Sequence, residues 1–332
     1  MLQTISLKEF LSLPIILDVR SPSEYQHSHI PNSWNFPVLE DLEYQQIGTL
    51  YKQNAFNTKI LGASMVCANI SQHLLRLKDF ITPSVPFGIY CARGGMRSQS
   101  FGLVLGNIGY QVALLEGGYK TYRKEVTQTL ETSPKHKFLT LIGQTGSGKS
   151  ELIAAFKDSL DLEKLTNHLG SSFGGIYGIQ PNTKSFQNAL FTRLKELENA
   201  PFVLIEGESK RLGNLILPSK LYLAYQKSPK ILITSPLQER IQRILRQYGN
   251  ISENLFHQAM QKIAPFMKKE FWEEAKRAFT KGDLPKVAEI LLLEYYDKVY
   301  KKESYQYILT FKNTRDTLQE ICEIGKFLYF KR

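Results

Sequence analysis

The feature that most constrains this 332-residue chain is an apolar segment that runs directly into a glycine-rich loop. Residues 137–143 read Lys-Phe-Leu-Thr-Leu-Ile-Gly, typical of a buried strand, and residues 143–150 read Gly-Gln-Thr-Gly-Ser-Gly-Lys-Ser. This spacing matches the phosphate-binding P-loop at every specified position and predicts a strand, the loop and a helix in that order. Residues 161–181, rich in glycine, serine and aromatic residues, are predicted to form a loop over the phosphates.

The residues of the P-loop have predicted roles that follow from their chemistry. Backbone N–H groups would cradle a diphosphate at the helix N-terminus, Lys149 would meet its terminal oxygens, and the Ser150 hydroxyl would bind Mg²⁺. A second buried strand, residues 201–206, ends in Glu206, which would orient the metal or its water. An exposed strand end is the alternative interpretation of Glu206 and of Glu208. The predicted cofactor-binding residues are Gly143, Thr145, Gly146, Ser147, Gly148, Lys149, Ser150 and Glu206.

A second anion-binding loop is predicted around Cys91. An apolar strand over residues 87–91 precedes Ala-Arg-Gly-Gly-Met-Arg, and a helix is predicted over about 97–108. Arginines, inward-pointing N–H groups and a helix N-terminus favour a thiolate and a charged sulfur, selenium or phosphorus ligand. The predicted catalytic residues are Cys91, Arg93, Gly94, Gly95 and Arg97. The spacing of Cys91 and Arg97 also fits a phosphatase in which Arg97 holds a phosphoryl group, and this alternative stays open.

Periodicity predicts two α/β domains, residues 1–130 and 135–332. In the first, short apolar strands alternate with helices, which indicates a small parallel sheet. The predicted strands cover 15–19, 87–91 and 111–115, and the predicted helices cover about 39–47, 60–80 and 97–108.

Composition restricts the cellular compartment in which we expect the chain. Three cysteines exclude a disulfide framework and a dense zinc site. The sequence shows neither the pattern of a signal peptide nor an apolar run long enough to span a bilayer, so we expect a cytoplasmic protein without a membrane partner.

The basic charge of the chain lies in its second half. Residues 1–134 carry 11 lysines and arginines against 10 acidic residues, whereas residues 135–332 carry 31 against 21. Such an excess suggests a polyanionic partner such as RNA. Arg240, Arg243 and Arg246 recur at intervals of three on a predicted helix over 239–248, and we predict that they bind RNA. A solvated amphipathic helix explains the same pattern.

Four segments of the first half resemble a rhodanese domain. They are Asp18-Val-Arg20, His29-Ile-Pro31, the Cys91 loop and Leu115-Glu-Gly-Gly118. Rhodaneses carry a persulfide on the loop cysteine and pass the sulfur onward. The loop here is one residue longer than in the usual small sulfurtransferase, so the resemblance implies a larger anion, such as selenophosphate.

The two halves together resemble the tRNA 2-selenouridine synthase family, in which a rhodanese domain is fused to a P-loop domain. Further matching segments are residues 47–53, 116–123, 161–163, 170–174 and 180–181. The resemblance implies an N-terminal rhodanese-like parallel sheet and a C-terminal P-loop NTPase-like α/β domain with a helical C-terminal part. It also implies a tRNA partner whose wobble 2-thiouridine is S-geranylated by geranyl diphosphate and then selenated by selenophosphate. Cys91 would be the selenium-bearing nucleophile, and a selenophosphate-producing enzyme would be a partner.

The chain departs from the family pattern at three positions. Ala92 stands where a tryptophan is usual, Leu169 where an arginine is usual, and Gly207 where an acid is usual. Two other functions stay open: a P-loop kinase or ATPase with a regulatory rhodanese module, and a phosphatase-like or noncatalytic sulfur-binding adaptor.

Overall fold

The computed structural model describes residues 2–51, 53–300 and 303–330 and divides into two compact units. The first unit comprises Met1–Thr129 with Asn182–Phe191, and the second comprises Leu130–Pro181 with Thr192–Arg332. Within the described ranges, the helices are too short or too polar to cross a bilayer.

The first unit is built on a five-stranded parallel sheet in the order β1-β5-β4-β2-β3. Its strands are β1 (Gln3–Ile5), β2 (Ile15–Asp18), β3 (Trp34–Asn35), β4 (Phe87–Tyr90) and β5 (Val112–Leu115). Its helices are α1 (Leu7–Phe10), α2 (Pro22–His27), α3 (Asp41–Leu50), α4 (Ala55–Leu77), α5 (Met96–Asn107) and α6 (Gly118–Glu131).

Local sequence signals explain where these elements begin and end. Ser21 and Glu24 form a reciprocal capping box at the start of α2, with Pro22 in its first turn, where a missing N–H costs nothing. The central strand β4 is buried along its whole length, which matches its uninterrupted apolar run. Helix α4 begins earlier than the predicted residue 60, because Asn54 caps the N–H of Asn57.

The second unit is built on another five-stranded parallel sheet, in the order β12-β11-β6-β8-β7. Its strands are β6 (Phe138–Ile142), β7 (Ser159–Leu160), β8 (Val203–Glu206), the antiparallel pair β9 (Arg211–Leu212) and β10 (Leu215–Ile216), β11 (Lys230–Thr234) and β12 (Tyr307–Thr310). Strand β6 is central and fully buried, and the P-loop follows it at the carboxyl edge of the sheet.

Helices surround this sheet and extend beyond it as a separate helical layer. They are α7 (Lys149–Ala155), α8 (Leu162–Thr166), α9 (Thr183–Glu196), α10 (Ser219–Gln226), α11 (Leu237–Tyr248), α12 (Glu253–Ile263), α13 (Lys269–Thr280), α14 (Leu284–Leu291), α15 (Asp297–Val299) and α16 (Thr314–Phe330). Helix α9 starts in the first unit. A π-helical turn over Leu292–Tyr296 joins α14 to α15. The predicted fold class, two parallel α/β sheets with a helical C-terminal part, is confirmed.

A buried ion pair holds the end of β2. Arg20 donates to both carboxylate oxygens of Asp18, at 2.6 to 3.1 Å, and to the carbonyl oxygen of Ser28 at 2.8 Å. Both side chains are buried, and the guanidinium lies 3.9 Å from the ring centre of Tyr119. The Asp-Val-Arg segment therefore fixes the turn between β2 and α2.

Replacing Arg20 by Met is expected to lower the free energy of unfolding of the first unit by about 3 kcal/mol or more, because Asp18 is left charged and buried. Urea unfolding, followed by Trp34 fluorescence in a Trp272→Phe background, measures the free energy of unfolding of this unit. Lys78→Met, which removes an exposed lysine, is the matched control and should change the value by less than about 0.5 kcal/mol. Equal effects of the two substitutions would contradict a structural role for the pair.

Candidate functional site

Cys91 lies between β4 and α5, with hydrogen-bond donors directed at its sulfur. The backbone N–H of Gly95 and the hydroxyl of Ser98 each lie 3.2 Å from Sγ. Ser98 belongs to the first turn of α5, so the helix N-terminus also faces the sulfur. Ser98 was not predicted, although its place one turn into the helix was visible in the sequence. The arrangement can stabilise negative charge on the sulfur or on a group bound there.

The loop after Cys91 is held in place by the backbone at the start of α6, where Gly117 and Gly118 follow each other. The N–H of Tyr119 donates to the carbonyl of Cys91 at 2.9 Å, and the N–H of Lys120 donates to that of Ala92 at 3.0 Å. A Cβ atom on Gly118 would lie 2.3 Å from the Cys91 carbonyl oxygen, so only glycine permits this approach. Gly94 adopts φ +67°, a left-handed conformation that also favours glycine.

The two predicted arginines of the loop have different surroundings. Arg93 is exposed. Arg97 forms an ion pair with Glu24 at 2.5 Å, and its guanidinium lies 4.9 Å from the ring centre of Tyr44. Burial by itself would lower the pKa of Arg97, but the Glu24 carboxylate outweighs it and the pKa is raised. Arg97 therefore stays charged, and Glu24, which sequence reasoning missed, competes with any anion for it.

The P-loop follows β6 with the backbone geometry that its glycines permit. Gly143, Gly146 and Gly148 have φ values of +151°, +78° and +101°. Lys149 Nζ donates to the carbonyl of Gly143 at 2.7 Å and lies 3.4 Å from a Glu206 oxygen. The hydroxyl of Ser147 is buried, and none of the described residues forms a hydrogen bond with it. The loop thus presents a lysine and an unsatisfied hydroxyl to a ligand, as a phosphate-binding loop requires.

Three carboxylates gather beside Ser150. Its hydroxyl donates to Glu206 at 3.1 Å, and oxygens of Glu163, Glu206 and Glu208 lie within 4.8 Å of one another. Burial and the charge of Glu206 raise the pKa of Glu208 to about 8. Burial, Glu206 and Glu208 raise the pKa of Glu163 to about 9. This set of hard oxygen donors fits a cation such as Mg²⁺.

Glu163 was not predicted, because it reaches the cluster from α8 and is remote from the P-loop in sequence. Its place in the 161–181 segment and in the family-like segment 161–163 pointed to it. Several residues of this segment line the same cleft as the P-loop: Asp161, Glu163, Asn167, Leu169, Gly170, Ser171 and Tyr177. At Gly207, a Cβ atom would lie 2.9 Å from the Cγ2 methyl of Ile142, so an acid there would require this side chain to move.

The three arginines of α11 do not form an exposed stripe. Arg240 is buried, donates to the carbonyl of Thr145 at 2.8 Å and pairs with Asp297 at 2.6 Å. Arg243 is also buried, and its guanidinium lies 4.1 Å from the ring centre of Phe311. The side chain of Arg246 is 68% exposed. Arg240 and Arg243 donate to P-loop carbonyls, and Arg243 also lines the phosphate cleft. RNA binding stays a prediction, and Arg246 is the exposed member of the three.

The burial of Cys91 can be measured by thiol labelling. Cys91 is 3% exposed, whereas Cys67 on α4 is exposed. Iodoacetamide is expected to modify both, but a bulky dye maleimide should modify Cys91 roughly tenfold more slowly than Cys67, because access to the loop is narrow. Peptide mass spectrometry gives both rates, with Cys67→Ser as control. Inertness of Cys91 to both reagents would contradict a role as nucleophile.

The acidic cluster predicts a link between metal and proton binding. With pKa values of about 9 and about 8, Glu163 and Glu208 hold protons at pH 7. Mg²⁺ needs ionised ligands, so its binding should release protons at pH 7, and its affinity should rise toward pH 9. Calorimetry in buffers of different ionisation enthalpy measures the release, which Glu163→Gln should reduce. Binding without proton release would contradict the site.

Two family models match the two parts of the chain. A family model for the rhodanese-like domain matches residues 5–125, and one for the tRNA 2-selenouridine synthase AAA domain matches residues 136–281. A crystal structure of the N-terminal domain of a protein from Clostridium difficile 630, named for ATP/GTP binding, is 35% identical and covers 37% of this chain and 98% of that one, with a TM-score of 0.35.

Curated relatives carry one name. A tRNA 2-selenouridine synthase of Psychromonas ingrahamii is 32% identical over 253 residues, which cover 76% of this chain and 69% of that protein. One of Shewanella loihica is 35% identical over 238 residues, covering 70% of this chain and 64% of that protein. The chain thus spans about two thirds of the length of these relatives. On this similarity, the chain belongs to the tRNA 2-selenouridine synthase family.

Proposed function

We propose that this protein is a transferase that replaces sulfur by selenium in the wobble 2-thiouridine of tRNA. One observation carries the proposal: a cysteine loop with donors aimed at Sγ and a P-loop with a carboxylate cluster occur in one chain of this family. The names of the relatives support the same substrate. Two anion sites allow two consecutive reactions, one that activates the sulfur and one that replaces it.

The first reaction is assigned to the P-loop. The 2-sulfur of the nucleoside attacks the first carbon of geranyl diphosphate, the carbon–oxygen bond breaks, and the nucleoside loses its N3 proton. Diphosphate leaves with the bonding electrons. The N–H groups of the loop and Lys149 would stabilise the charge that develops on it, and the buried Ser147 hydroxyl would gain its missing partner.

A divalent cation would support this step. Ser150, Glu163, Glu206 and Glu208 would hold it, and it would neutralise part of the diphosphate charge. Lys149 lies 3.4 Å from Glu206, so without a ligand the acidic cluster attracts the lysine toward itself. A bound diphosphate would compete for this lysine.

The second reaction is assigned to the Cys91 loop. In this reaction the selenium of selenophosphate forms a bond to C2 of the pyrimidine, the C2–sulfur bond breaks, and geranylthiol leaves. Water then cleaves the selenium–phosphorus bond and releases phosphate. Geranylation helps because a thioether sulfur leaves the ring more readily than a thiocarbonyl sulfur. The loop would hold the anionic selenium donor through Gly95 N–H, the α5 N-terminus and Arg97. The Cys91 thiol would donate a hydrogen bond to the selenium without forming a covalent bond to it.

tRNA is the proposed polyanionic partner. The second half of the chain carries the basic excess, and the exposed Arg246 lies at the rim of the P-loop cleft. A phosphate contact by this arginine would add a salt-dependent contribution to affinity. A selenophosphate-producing enzyme would supply the selenium donor for the second reaction.

Single substitutions should separate the two reactions. Cys91→Ser is expected to abolish selenium transfer and to leave geranylation within about twofold, because the P-loop is untouched. Lys149→Ala should reduce geranylation by about a hundredfold, because the leaving group loses its cation, while a pre-geranylated tRNA is still selenated. Nucleoside mass spectrometry of treated tRNA measures both products, with Cys67→Ser as control. Loss of both products in either variant would show that the reactions share one site.

The alternative is a P-loop kinase or ATPase, since a P-loop also accepts a nucleotide. The proposed reactions need no ATP hydrolysis. Steady turnover of ATP by the purified protein, with or without tRNA, would favour the alternative.

A further inference from the structure

An apolar cavity in the second unit adjoins the P-loop. Its cavity volume is about 60 Å³, room for several water-sized groups. Its walls come from α11, α12, α13 and α14 and from the π-helical turn, a form that is frequent at functional sites. This cavity lies in the helical layer beyond the sheet.

The lining of the cavity is almost free of polar groups. Leu245, Val287 and Leu291 contribute aliphatic side chains, and the rings of Phe256 and Phe279 stack at 3.7 Å. A nucleotide base or ribose placed here would leave its polar atoms without partners, which is unfavourable. A hydrocarbon chain would gain free energy with each carbon removed from water. The cavity is therefore chemically suited to an apolar group.

The cavity adjoins the phosphate cleft. Thr145, Ile244, Tyr248 and Tyr296 line both spaces, and Thr145 belongs to the P-loop itself. The Tyr248 hydroxyl lies 3.2 Å from Ser171 Oγ on the loop that covers the cleft. A ligand whose diphosphate occupies the P-loop can thus place an attached chain directly into the cavity.

We propose that this cavity binds the isoprenoid chain of the allylic diphosphate, and that its depth selects the length of that chain. The inference rests on the proposed function and adds to it the residues that choose the alkyl donor. Ala288 is small and buried in the wall, so it leaves space that a larger side chain would fill. Leu291, one turn further along α14, also lines the cavity.

The test measures equilibrium binding to the full chain without tRNA. The probes are inorganic pyrophosphate and the dimethylallyl, geranyl and farnesyl diphosphates, with ATP for comparison. In the unchanged protein, affinity is expected to rise by about tenfold or more from the five-carbon to the ten-carbon chain, because additional apolar carbons become buried. Equal affinity for pyrophosphate and all three prenyl diphosphates would overturn the inference.

Two substitutions should act in opposite directions. Ala288→Phe fills the cavity and should remove the advantage of geranyl over dimethylallyl diphosphate, while pyrophosphate binds within about twofold of the unchanged protein. Leu291→Ala enlarges the cavity and should shift preference toward farnesyl diphosphate. Leu293→Ala, an equal truncation at a position that is 41% exposed, is the matched control and should change neither ratio.

The outcomes separate this inference from the proposed function. If geranyl diphosphate binds and tRNA is geranylated, but both substitutions leave the chain-length ratios unchanged, the cavity is wrongly assigned and the proposed function stands. If the unchanged protein prefers ATP to every prenyl diphosphate, the proposed function fails and the inference fails with it. Opposite shifts in the two variants cannot arise from partial unfolding, which would weaken all probes together.

Discussion

Both sites depend on backbone N–H groups that lie at the carboxyl ends of parallel strands. A strand that ends in a tight turn before a helix leaves several N–H groups without intrahelical partners, and these groups attract an anion. Cys91 after β4 and the P-loop after β6 each use this arrangement. Glycine is needed where the chain must take a left-handed conformation, as at Gly94 and Gly146.

Charged side chains then distinguish the two loops. Around Cys91, Glu24 neutralises Arg97, so the exposed Arg93 and the N–H groups of the loop supply its positive potential. At the P-loop, three carboxylates face Lys149, so charge balance requires a cation, a proton or both. Burial and, after it, repulsion from neighbouring carboxylates raise the pKa values of Glu163 and Glu208.

Buried arginines connect the helical layer to the P-loop. Arg240 donates to the Thr145 carbonyl and pairs with Asp297, which directly follows the π-helical turn. A buried charge pair of this kind is costly to break, so it fixes the turn relative to the loop. Because Tyr296 on that turn lines both the cleft and the apolar cavity, the ion pair also positions the boundary between them.

The sequence by itself determined the two parallel α/β sheets, the place of the P-loop after a central strand, and the cysteine loop between a strand and a helix. These features depend on local patterns, namely apolar runs, glycine spacing and caps, that act over a few residues. The sequence did not determine which charges are exposed. Arg240 and Arg243 have the spacing of a surface stripe, yet they are buried by groups remote in the chain. Arg240 donates to the Thr145 carbonyl and pairs with Asp297, and Arg243 packs on the ring of Phe311. Glu163 and the apolar cavity were hidden for the same reason, since only tertiary packing brings together side chains that are remote in sequence.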